Sequence, residues 1–161
     1  MSYPEPYAVY PPPAAGMVAP PASRTAARLL SAVCGLLLTP VGIGLTAFGG
    51  YRQAQVMARF AAGADGLAIT LVVVGALVLF GVAALGAFSG TGPAFGGLVW
   101  GIVPGVVGMV STRSGYHLLD LLPRGDLNTG LLTWMFSGAL LGVGFVLVSA
   151  GLVGRLARRR R

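Results

Sequence analysis

Few side chains in this sequence could do chemistry, and where they stand says more than how many there are. His117 and Asp120 are three residues apart, close enough across one helical turn for the carboxylate to orient the imidazole as a base. The same segment carries Arg113, Tyr116, Arg124 and Asp126, and a second segment carries Tyr51, Arg52, Arg59 and Asp65. No Cys or Ser in a nucleophile motif accompanies His117, and a single histidine cannot build a zinc site of the usual kind. Both segments read as solvated loops, and the expectation is no enzyme, no cofactor and no metal. Cys34, the single cysteine, lies in an apolar run and reads as a small hydrophobe.

The elements that carry these residues follow from composition. The chain has 161 residues, of which 55% are hydrophobic and 9% charged. A soluble domain has about a quarter of its residues charged, so most of this exterior must face something other than water. Four runs, 29–49, 66–88, 94–110 and 131–153, contain no charged residue. Each is long enough to cross a hydrocarbon layer about 30 Å thick as a helix. The expected fold is an all-α membrane protein, a four-transmembrane-helix bundle over residues 28–154. A signal peptide is disfavoured for the first run, which exceeds the usual apolar length and follows a long N-terminal segment.

Two tails flank the bundle. Residues 1–27 hold seven prolines interspersed with Tyr3, Tyr7 and Tyr10. Dense proline removes backbone donors and favours extended chain, so a disordered spacer or docking tail is expected. Residues 155–161 carry Arg155, Arg158, Arg159, Arg160 and Arg161. A basic cluster beside an apolar helix sets orientation and attracts anionic headgroups. It does not suggest nucleic acid, because the remaining arginines are scattered and lack a stacking platform. With the N-terminus inside, seven arginines fall on the cytoplasmic side and four outside, which places both ends in the cytoplasm of a cell-membrane protein. Residues 89–93 read as a tight inner turn, and Val56, Met57 and Phe60 extend helix one beyond the bilayer. Leu118, Leu119, Leu121 and Leu122 read as a short amphipathic turn in the headgroup region, with Trp134, Tyr51 and Tyr116 at the outer boundary.

Within the spans the informative residues are small or helix-breaking. Gly97, Gly101, Gly105 and Gly108 share one face of helix three, where they either close the chain's own bundle or pair two copies. Pro40 and Pro104 each remove a backbone bond mid-helix and free the carbonyls of Leu36 and Trp100. Ser31, Thr39, Thr46, Thr70, Thr133, Ser137 and Ser149 are the remaining polar groups, each expected to bond its own helix. The Pro and Gly patterns of the two halves echo one another at offsets of 61 to 65 residues, as two repeated hairpins would. With no ionisable group inside any span, the expected function is a structural or accessory interaction subunit of a cell-envelope assembly. The alternative is a small transporter or channel acting as an oligomer.

Overall fold

A computed structural model describes residues 24–59, 63–120 and 125–159. The proline-rich tail (1–23) lies outside these residues, as do Phe60, Leu121, Leu122, Arg124, Arg160 and Arg161. The described chain is helical: α1 (Arg24–Ala58), α2 (Gly66–Phe88), α3 (Thr91–Val110), α4 (Thr112–Leu119), α5 (Asp126–Phe136) and α6 (Ala139–Arg159). Four of them, α1, α2, α3 and α6, are long and apolar enough to span a membrane. In such a solvent every backbone N–H and C=O must be satisfied within its own segment, which only helices of this length can do.

α1 begins at Arg24, inside the segment expected to be disordered, and α6 continues through the first arginines to Arg159. Thr25–Ala27 contain no breaker, and cations are favoured at a helix C-terminus, so nothing stops either helix earlier. α1 also runs past its apolar stretch to Ala58, as Val56 and Met57 suggested. Its 35 residues extend about 52 Å, well beyond a 30 Å core. The expected turn at 89–93 is reduced to Ser89 and Gly90, because Pro93 fits the first turn of α3, where no backbone donor is needed. The second polar segment opens with a helix, α4, capped by Ser111, whose hydroxyl accepts from the Ser114 N–H at 3.3 Å. α4 takes in Leu118 and Leu119 of the expected amphipathic turn, while Leu121 and Leu122 lie outside the described residues.

Glycine sets how closely the helices approach. A Cβ on Gly75 of α2 would lie 2.8 Å from the Gly42 carbonyl oxygen of α1, and one on Gly49 would lie 2.7 Å from that of Ala68. Between α1 and α3, Gly35 and Gly92 face each other backbone to backbone. α6 meets α2 where a Cβ on Gly86 would lie 2.9 Å from the Ala150 carbonyl oxygen. α5 packs on α1, with Gly130 against the Ala47 carbonyl. Ile43, Met135 and Leu140 form a buried apolar cluster where α1, α5 and α6 converge.

The fourth apolar run is not one helix. Residues 131–136 belong to α5, and the chain breaks at Ser137 and Gly138 before α6 starts. Gly138 has φ of 78°, a left-handed conformation that glycine adopts without cost. It stands 13 residues from Gly151, which packs on Gly90 at the hairpin end, so the break lies about 20 Å along α6 from that end. α3 is irregular beside it. Leu98–Ile102 form a π turn in which the Val103 N–H reaches back to the Leu98 carbonyl, immediately before Pro104. Pro104 has no N–H for the Trp100 carbonyl and its ring crowds that group, and the wider turn accommodates both defects. Pro40 lies in uninterrupted α-helix. The residues that echo between the halves therefore differ in backbone form: Gly75 is helical and Gly138 is not.

Gly101→Val should cost about 1–3 kcal/mol in detergent unfolding because its side chain must displace the Gly144 backbone, whereas Gly142→Ala, which faces open space, should not destabilise. Gly138→Ala should cost about 1–3 kcal/mol from backbone strain alone, measured in the same unfolding assay.

Candidate functional site at the far end of the bundle

One end of the bundle holds the start of α1, the hairpin at Ser89 and Gly90, and the end of α6. There the Thr91 hydroxyl donates to the Arg28 carbonyl at 3.1 Å and Ser31 donates to that of Ser89 at 3.2 Å. Thr39, Thr46, Thr70, Thr133, Ser137 and Ser149 each donate to a carbonyl of their own helix, at 2.6 to 3.3 Å. Ser31 is thus the exception among the seven: it ties α1 to the hairpin instead. Arg155 packs its aliphatic stem over Gly90, while Arg158 and Arg159 lie in the last turn of α6.

The opposite, far end carries the polar groups that could recognise something. α1 projects past its apolar stretch and places Arg52, Gln55, Val56 and Arg59 along one face, at the i, i+3, i+4, i+7 spacing of a helix. Asp65 precedes α2 as its N-cap, and its carboxylate accepts from the Leu67 N–H at 3.0 Å and the Ala68 N–H at 3.3 Å. Its backbone N–H donates to Gln53 Oε1 at 3.2 Å, and Arg52 Nε donates to its other carboxylate oxygen. Asp126 opens α5 and brings a second carboxylate to the rim, close enough for its charge to act on Arg52. Together these residues line an open groove between α1 and α5.

The Arg52 guanidinium is the main reason the Asp65 carboxyl sits below the usual carboxylate range, helped by the Ala68 and Leu67 N–H groups and opposed by partial burial. The Arg52–Asp65 pair is therefore held in its charged form.

The polar cluster expected from the sequence divides in two. Arg52, Arg59, Asp65 and Asp126 meet in the groove, but His117 and Arg113 stand exposed on α4. Among the described residues no hydrogen bond joins His117 to Asp120, and no group of three His, Cys, Asp or Glu could hold a metal. The Tyr116 ring packs instead on Phe136, with centroids 6.1 Å apart. The groove was hard to read in the sequence because Gln55 and Val56 carry no motif and Asp126 is 61 residues from Asp65.

The glycine face of α3 lies inside the chain's own bundle. A Cβ on Gly97 would lie 2.7 Å from the Gly144 carbonyl oxygen, and Gly101 meets the Gly144 Cα. Gly105 abuts Leu141 at 2.8 Å, and Gly108 makes room for the Met135 side chain. No protein-family model, no curated protein and no solved structure matches this chain.

Because its folded-state pKa is depressed, Asp65 contributes stability that is present above the ordinary carboxylate value of about 3.9 and is lost as pH falls through the lower folded value. Thermal unfolding in detergent should therefore show wild type above Asp65→Asn at pH 7. That gap should close on acidification below the ordinary carboxylate range.

Proposed function

We propose that this chain is a non-catalytic packing and interaction subunit of a cell-envelope assembly. It resides in the cell membrane with both termini in the cytoplasm. The observation that carries the reading is the seam between α3 and α6. Glycine at Gly97, Gly101 and Gly144 brings two backbones together and leaves no lumen along that contact. The polar side chains of the uncharged runs are mainly hydroxyls, most of them bonded to their own helices, and the arginines cluster at the C-terminal end of α6 and just after it. Ion-coupled transport draws on intramembrane ionisable groups, which this arrangement does not offer. In this reading Arg155, Arg158, Arg159, Arg160 and Arg161 hold the C-terminal end against anionic headgroups, and the proline-rich tail meets a cytoplasmic protein partner. Nucleic acid has no part in it.

A second reading, a small transporter or channel acting as an oligomer, draws on one specific observation. The π turn before Pro104 and the break at Gly138 adjoin each other at membrane depth, with Gly101 and Ile102 of α3 packed on Leu140 and Gly144 of α6. Broken helices of this kind form solute sites in transporters.

Mild-detergent pull-down followed by mass spectrometry separates the two. The accessory reading expects a reproducible membrane-protein partner that is lost on deleting residues 2–23 and retained in Pro104→Ala. A homomer without partner, whose solute flux in liposomes drops in Pro104→Ala and ignores the tail deletion, would support the second reading.

A further inference from the structure

We propose that the groove between α1 and α5 binds the zwitterionic headgroup of a phospholipid, phosphate on Arg59 and ammonium on Asp126. The placement is the first argument. α1 leaves its uncharged run at Gly49, and Arg52 to Arg59 follow within about two helical turns of one another, so the groove begins where a headgroup layer begins. Met57, next to Val56 in the chain, and Leu67 and Ile69, just after Asp65, are exposed apolar side chains available to acyl chains.

Charge arithmetic is the second argument. Arg52 and Asp65 are already paired, and Asp65 is further held by Leu67, Ala68 and Gln53. Their pairing neutralises this part of the groove. Among the described residues Arg59 and Asp126 carry no salt bridge, and they stand on separate elements on the two sides of the groove. Among the described residues that leaves Arg59 as a cation and Asp126 as an anion outside any ion pair. A guanidinium presents a planar fork that matches phosphate, and a carboxylate accepts from an ammonium. An anionic headgroup lacking the amine would satisfy Arg59 but lie against the Asp126 charge. A zwitterion satisfies both. The inference rests on the membrane-spanning fold and not on the partner proposed above, so it stands or falls separately from that partner.

Native mass spectrometry of the full chain in detergent tests it. Titration with phosphatidylethanolamine should give one saturable adduct per chain, and phosphatidylglycerol of the same chain length should bind more weakly. Arg59→Gln and Asp126→Asn should each reduce phosphatidylethanolamine occupancy about tenfold, the effect of losing one hydrogen bond to a charged group. Arg113→Gln, on α4 outside the groove, should leave occupancy unchanged, and circular dichroism checks that every variant keeps its helices. Soluble phosphoethanolamine should compete only at far higher concentration, since it lacks the acyl chains. Equal retention of phosphatidylglycerol, or well-folded Arg59→Gln and Asp126→Asn proteins that bind like the parent, would overturn the proposal. Phosphoethanolamine binding as tightly as the lipid would overturn the lipid source.

Discussion

The structure depends on one constraint, the approach of helix backbones to each other without intervening side chains. Between helices in lipid there is no hydrophobic drive, because acyl chains are as apolar as leucine. Association must come from close van der Waals contact, and contact is closest where Cβ atoms are absent. Gly35 against Gly92, Gly75 against Gly42, Gly86 against Ala150, and Gly97 and Gly101 against Gly144 are such points, spread over four helix pairs. Leucine, valine and phenylalanine are largely left to the outside, with Leu77, Phe80 and Phe145 more than half exposed. The usual inside–outside logic of soluble proteins is reversed.

That seam accounts for the hydroxyls as well. Thr39 and Thr46 lie buried at the crossings of α1 with α3 and α2, where an unsatisfied polar group would be costly. Each returns its proton to its own helix, so small side chains line the contact without demanding a partner. Ser31 bonds across instead and fastens α1 to the hairpin. The far end follows different physics. There the helices leave the apolar stretch, and fixed charges on α1, α2 and α5 organise the groove.

Much of this was legible in the sequence because hydropathy and length are nearly sufficient in a membrane. Three of the four uncharged runs match helices long and apolar enough to span a membrane, the fourth contains a break ahead of the last such helix, and the glycine face of helix three was visible as a spacing. Which partner that face would meet was not visible, since spacing names a surface and not its complement. The fourth run misled for a physical reason. Ser137 and Gly138 sit in an apolar stretch whose hydropathy does not change, and a left-handed glycine leaves no trace in composition. Pro40 and Pro104 are equivalent in the sequence, yet only the second follows a π turn, beside the stretch of α3 that packs on α6. The charges of the groove are visible in the sequence, but its outline is not, because its residues come from separate elements and Asp126 shares a segment with His117.

The central claim is that the glycine face of α3 is occupied within the same chain. Ala94 and Gly151 give the most direct measurement, since a Cβ on Gly151 would lie 3.0 Å from that of Ala94. In a Cys34→Ser background, Ala94→Cys with Gly151→Cys should oxidise to a disulfide that migrates as a monomer on a non-reducing gel. A disulfide-linked dimer, or two thiols that stay free under oxidation, would contradict the account.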